Sequence, residues 1–280
     1  MRTMIKRACP VPLAIIVLLA AAAPPRLGAS DGEAGEKTRS YHLNGEFWTS
    51  LGKDTAGVLT APFSWKAPDL LCFGGLVGAW GLAYALDGDI QDWTRARRSE
   101  GLDRAMAIFS EMGNAAYQVV FLAGLYAAGE IAPSLGLRRT AVLGLESLAV
   151  TSVVVVSLKF LMGRARPETG YGPRHFEPFS FRSSYYSLPS GHAASAFALA
   201  TSIAQQSDCG LVDAAVYVLA AAVALSRVYN NEHWTSDVLL GAALGHFIAR
   251  GIAGLNRSTE TKAVLLLSVS PGGFGLSLRF

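Results

Sequence analysis

The chain has 280 residues, of which 51% are hydrophobic and only 16% charged, against roughly 25% charged in an average soluble domain. Its formal charge of +3 resides in the leader: Arg2, Lys6, Arg7 and Arg26 meet no acid in the first 29 residues, and the remainder holds 20 basic against 21 acidic residues. The depletion of charge points to membrane contact or a very apolar helix bundle, and the balance excludes nucleic acid as an expected partner.

Residues 1–29 read as an export signal, with a basic start, an apolar run from Val11 to Ala23 and a cleavage site at Leu27-Gly28-Ala29. An uncleaved anchor is the alternative, although the run is short for a span. Residues 30–64 are polar and mixed and read as an irregular arm. Six apolar runs follow: Leu70–Leu86, Met112–Gly129, Thr140–Leu158, Ala193–Gln206, Leu211–Ser226 and Val238–Ala249. They are rich in Ala, Leu and Gly and too long for ordinary strands, so residues 65–255 are expected to form an all-α, six-helix bundle. Loops are expected at Asp87–Arg104 and Gly163–Ser187. Residues 256–280 alternate apolar and polar positions around Ser270-Pro271-Gly272-Gly273, the pattern of a short β-hairpin.

The last three runs are marginal for spanning, since Val238–Ala249 has twelve residues and Asp213 intrudes on the fifth helix. If export places the mature N-terminus outside and the first three runs cross, Lys159 emerges inside. Integral and peripheral attachment therefore both stay open. Beyond the leader only Cys72 and Cys209 remain; two buried thiols or one disulfide are compatible with their surroundings.

Three clusters put ionisable groups where an apolar helix ends. Lys159 closes the third run, and Arg166 and Pro167 follow seven and eight residues later. Both cations share a face if the helix continues, and no acid on it is placed to pair with them, so an external anion fits. Cations reaching out to an interface would give the same pattern. Pro189-Ser190-Gly191-His192 precedes the fourth helix. Ser190 is a natural N-cap, Gly191 permits close backbone approach, and the free first-turn N–H groups attract phosphate. An ordinary capped helix with an incidental histidine is the alternative. Ser226-Arg227 and His233 to Asp237 join the last two helices. The four-residue spacing lets Asp237 accept from one ring nitrogen of His233 and leave the other free to attack, or lets the pair simply cap the helix. Taken together, these groups make a phosphoryl-transfer kit that needs no metal, because Lys and Arg supply the counter-charge.

Lys-x6-Arg-Pro, Pro-Ser-Gly-His and Ser-Arg-x5-His-x3-Asp, intact and in this order, resemble the signature motifs of the type-2 phosphatidic acid phosphatase and vanadium haloperoxidase superfamily. The resemblance covers about residues 65–255. It implies a helical bundle and a covalent phosphohistidine mechanism, with His233 as nucleophile, Asp237 orienting it and His192 protonating the leaving group. Lys159, Arg166, Ser190, Gly191 and Arg227 would bind phosphate, and Asn230, Asn231 and Trp234 could line the pocket. Integral members of the family usually place this site on the exported face, which the crossing count does not deliver simply.

The expected substrate is a lipid phosphate, such as phosphatidate or a polyprenyl (di)phosphate, or a small phosphate ester. No cofactor or metal is expected, and the oligomeric state is open. A vanadium-dependent haloperoxidase, with vanadate on the same ligands, is the alternative within the superfamily. A non-catalytic membrane helix bundle that keeps the motifs is the alternative outside it. Of the remaining polar residues, Glu146 is expected to meet a polar group on a neighbouring helix and His246 to be satisfied within its own. His42 and His175 should be exposed, and Arg95, Arg97 and Arg98 should form a solvated or membrane-facing patch.

Overall fold

The computed structural model describes residue 39, residues 41–256 and, as backbone alone, residues 264–270 and 273–279. The described part of the domain is all-α, with eight α-helices: α1 Gly45–Thr60, α2 Ala67–Arg95, α3 Glu100–Met112, α4 Ala115–Ile131, α5 Leu135–Met162, α6 Gly191–Ala204, α7 Gly210–Tyr229 and α8 Thr235–Leu255. Six of them fall on the six apolar runs. The other two correct the reading of the arm and of the Asp87–Arg104 loop. Both α1 and α3 are amphipathic, with Phe47, Leu51 and Val58 on one face of α1, so charges interrupt any continuous apolar run. Asn44 and Ser99 start them by accepting from Glu46 N (2.9 Å) and Leu102 N (3.4 Å).

The expected leader lies outside the described residues. At the other end, the backbone of Val264–Ser270 pairs antiparallel with that of Gly273–Arg279. How the expected hairpin packs on the bundle also lies outside them.

Among the described residues four helices are long and apolar enough to cross a membrane: α2, α5, α7 and α8, with 29, 28, 20 and 21 residues. The last two runs thus extend past the limits their composition suggests, and Asp213 falls in the first turn of α7, where an acid is tolerated. Conversely, α4 has only 17 residues. Exposed Leu70, Leu71, Phe73 and Val77 on α2, with Val153 and Val156 on α5, give the bundle an apolar exterior suited to lipid. The chain is a membrane protein by these features.

The core is built on α6, α7 and α8 around Ala193, Phe197, Ala200, Ala220, Val223, Val228, Val238 and Ala242. Small residues bring α6 and α8 unusually close. A Cβ on Gly245 would stand 2.0 Å from Ala194 O, and one on Gly241 would stand 2.4 Å from Ser190 O. That contact fixes where the two helix starts lie relative to each other. On α5, fully buried Glu146 pairs with Arg39 of the arm and also meets Asp54 of α1, a polar group on a neighbouring helix. His246 Nδ1 lies 3.0 Å from both Thr201 Oγ1 and Tyr217 OH. Cys72 and Cys209 are free thiols, half-buried and exposed respectively.

Candidate active site

The C-terminal ends of α5 and α7 and the N-terminal ends of α6 and α8 meet at one end of the bundle, and every motif residue lies there. Helix α5 stops at Met162, four residues before Arg166, so the two cations do not share a continued helix face. Gly163 causes the stop. It adopts φ +57°, and a Cβ there would stand 1.7 Å from Glu177 O, so only glycine fits. The chain then reverses through an extended segment and returns Arg166 to the same place. Lys159 is half-buried and donates to Tyr186 O.

Ser190 is the N-cap of α6, but its hydroxyl makes no capping bond. The side chain is fully buried and Oγ has no partner in the protein, while Ser190 N donates to Asp237 O at 2.9 Å. A Cβ on Gly191 would reach Lys159 Cε at 3.9 Å, which places the first turn of α6 over the end of α5. His192, in that turn, is half-buried and packs beside Gly113.

Arg227, 4% exposed, ends α7 and donates to Ser110 of α3. Its Nη2 pairs with Glu232, and Arg166 Nη1 approaches the same carboxylate at 4.0 Å. His233 precedes α8 and Asp237 is the third residue of that helix. His233 Nδ1 and Asp237 Oδ2 are 3.8 Å apart, an ion-pair separation longer than a hydrogen bond. Asp237 accepts from Trp234 N at 3.0 Å, so it caps α8 as well as facing the histidine.

Among the motif residues, four buried atoms lack a partner in the protein: Ser190 Oγ, Arg166 Nε, Arg227 Nε and His233 Nδ1. Three cations converge on them, with Glu232 the acid between two of the three. Both histidines resist protonation. Burial first, then the charges of Arg227, Lys159 and Arg166, lowers His192 to about 4. Burial first also lowers His233, to about 3, with Asp237 opposing and Lys159 and Arg166 reinforcing. Such a site can hold a tetrahedral anion between neutral imidazoles. Among the described residues no group of three or more His, Cys, Asp or Glu side chains is placed to share a metal ion.

Several residues that the motifs do not contain take part. Arg164 is fully buried, with Nη1 2.6 Å from Asp237 Oδ1 and Nη2 2.7 Å from Asp87 Oδ2 on α2. Ser187 Oγ donates to Asp237 Oδ2 at 2.5 Å. Arg95 is not simply part of a surface patch, because its Nη2 donates at 2.7 Å to Asn231 Oδ1, which also accepts from Gln91 Nε2 at 2.5 Å. Asn231 is thereby held by α2, at φ +61°. Trp234 is buried, with Nε1 2.9 Å from Ala165 O. Arg97 lies 4.1 Å over the Trp93 ring, and Arg98 pairs with Asp103 at 3.2 Å. His175 is exposed, and His42 faces Glu130 at 3.2 Å.

A family model described as the PAP2 superfamily matches residues 140–257, a stretch that contains all eight motif residues singled out above. Two curated relatives are named lipid A 1-phosphatase. The one from Porphyromonas gingivalis is 36% identical over 100 residues, 35% of this chain and 20% of the relative. The one from Rhizobium johnstonii is 32% identical over 127 residues, 44% of this chain and 48% of the relative. The match therefore spans a fifth to about half of those relatives' length. Among solved structures, a transmembrane PAP2-type phosphatidylglycerolphosphate phosphatase from Bacillus subtilis shares the fold, with a TM-score of 0.54 at 21% identity, covering 67% of this chain and 97% of that one.

Proposed function

We infer, from the PAP2-superfamily region over residues 140–257, that the chain is a phosphoric ester hydrolase acting without a metal on a lipid phosphate. The observation that carries this reading is the gathering of Lys159, Arg166 and Arg227 with the unpartnered Ser190 hydroxyl at the start of α6, between His192 and His233. Free donors on an N-terminal helix turn beside three cations favour a phosphate dianion over any neutral ligand.

In the proposed cycle those groups and the Gly191 N–H hold the non-reacting phosphate oxygens. His233 Nε2 attacks phosphorus while Asp237 faces Nδ1 and favours the positive charge the ring acquires. The P–O ester bond breaks, and the leaving oxygen takes a proton from His192. A water molecule then attacks the phosphohistidine, giving its proton to His192. The N–P bond breaks and inorganic phosphate leaves. His192 must be protonated for the first half. Its value of about 4 belongs to the anion-free site, and a bound dianion favours the imidazolium.

The apolar exterior supports an amphiphilic substrate. Phosphatidate, a polyprenyl (di)phosphate and a glycolipid phosphate of the lipid A kind are the classes to compare, the last because of the relatives' names. The test is a panel of these lipids in detergent beside a small soluble phosphate monoester, assayed with wild type and His233→Ala. Turnover of at least one lipid phosphate that vanishes in the variant is expected. Efficient hydrolysis of the soluble ester with none of the lipids would remove the lipid assignment, and no turnover at all would remove the phosphatase reading.

A further inference from the structure

We propose that Asp87 and Arg164 are positioning residues for the His233–Asp237 pair, acting as a buried charge chain that keeps the Asp237 carboxylate aimed and effectively negative. This rests on the phosphatase reading above.

The guanidinium of Arg164 has five N–H donors, and the structure gives it five bonds. Nε donates to Pro173 O at 2.9 Å. Nη2 donates to Pro173 O at 2.6 Å and to Asp87 Oδ2 at 2.7 Å. Nη1 donates to Asp237 Oδ1 at 2.6 Å and to Ser236 Oγ at 2.7 Å. Asp87 is equally committed, accepting from Ser236 N at 2.9 Å and Ser236 Oγ at 2.5 Å as well as from Arg164. The three charged residues are at most 1% exposed. A buried network in which every donor is used has one geometry, so it fixes the Asp237 rotamer.

The charges explain why two acids are needed. Arg164 against Asp237 alone would neutralise the carboxylate that His233 faces. Asp87 returns the trio to a net charge of −1, so negative charge remains opposite the imidazole as it becomes positive during attack on phosphorus. Asp87 also belongs to α2, outside the stretch matched by the family model, and its carboxylate joins that helix to the His233–Asp237 pair, beside the Gln91 and Arg95 contacts to Asn231.

The experiment uses the full-length protein in detergent with whichever lipid phosphate the wild type hydrolyses. Asp87→Asn is expected to lower kcat on the order of 10–100-fold, the range seen for outer partners of a functional histidine, with KM within about threefold because no phosphate contact is lost. Asp87→Glu is expected to recover part of that loss. The double variant Asp87→Asn/Arg164→Gln again carries net −1, and its kcat is expected to exceed that of Asp87→Asn. If the single variant does not remain folded, Arg164→Lys decides instead: it keeps the charge but breaks the fork that joins Asp87 to Asp237, so a fall in kcat on the order of 10–100-fold with KM held supports the chain, and near-normal kcat overturns it. A folded Asp87→Asn with near-normal kcat, or a double variant no better than the single, overturns it as well. Inactive wild type would instead sink the phosphatase reading, so the two failures are distinguishable.

Discussion

Arg227 brings one of the most deeply buried cations of the site to the proposed phosphate position, and its Nε has no protein partner there. Arg227→Ala should cost about 3 kcal/mol of transition-state stabilisation, by analogy with the loss of one oxyanion donor. This would be read as a fall in kcat/KM of roughly 10²-fold. Glu232 competes for the same guanidinium and lies 4.0 Å from Arg166. A carboxylate resting on two cations proposed to bind phosphate would have to yield to the substrate, so Glu232→Gln should tighten inhibition by inorganic phosphate several-fold, measured as a lower inhibition constant. Unchanged or weaker inhibition would show that Glu232 does not contend for the anion. The histidines give a pH signature. His192 and His233, at about 4 and about 3, lie below the ordinary histidine value, so between these values and about 6.5 the unfolded chain binds protons that the folded chain refuses. Stability from this source is complete above about 6.5 and declines as pH falls toward 4. Melting curves across that range should show the decline, and His192→Gln should make it shallower, leaving the share that His233 carries.

That the motif residues gather was legible in the sequence, because each cluster puts ionisable groups where an apolar helix starts or ends. Lys159, Arg166, Ser190, Gly191, His192, Arg227, His233 and Asp237 all lie at one end of the bundle. Arg164 was not legible, although it lies two residues before Arg166. Nothing in its local sequence tells a buried, five-bonded guanidinium from an interfacial one, and its partners Asp87 and Asp237 are 77 and 73 residues away. Glu232 was hidden for a similar reason, as an acid in a polar loop reads as solvated.

At the scale of elements, the contact between α6 and α8 sets the distance between the Ser190–His192 turn and the His233–Asp237 pair. Gly245→Ala would drive a methyl against Ala194 O, and overpacking of this kind costs typically about 1–3 kcal/mol. It should lower the melting temperature and activity together. Gly101→Ala on α3, where a Cβ meets nothing within 4 Å, should raise stability by about 0.5–1 kcal/mol through helix propensity. Equal effects at the two positions would mean that the close approach does not set the site. Helices α1 and α3 escaped the sequence reading because run length detects only uniformly apolar helices. The limits of α7 and α8 were underestimated because polar first turns and charged last turns belong to a helix as much as its apolar middle does.

The whole molecule places the motifs at one end, with the start of α2 and the ends of α1, α6 and α8 at the other. If the four described helices that are long and apolar enough to cross a membrane do so, those ends lie on opposite faces. With Cys9, Cys72 and Cys209 replaced by Ser, single cysteines at exposed Arg182, near the site, and at exposed Leu255, at the far end, should label from opposite sides of sealed vesicles. We expect Arg182→Cys to react from the exported side. Labelling of both from one side would mean that the bundle rests on the surface instead.

The most direct measurement is to trap the covalent intermediate. Purified protein is mixed with a lipid phosphate carrying labelled phosphorus, quenched within the first turnover and digested under alkaline conditions that preserve phosphohistidine. Label on the peptide containing His233, absent from His233→Ala and prolonged in His192→Ala, is the predicted result. Turnover with no labelled protein at any time, or label that persists in His233→Ala, would contradict the assignment of His233 as the group that takes the phosphoryl.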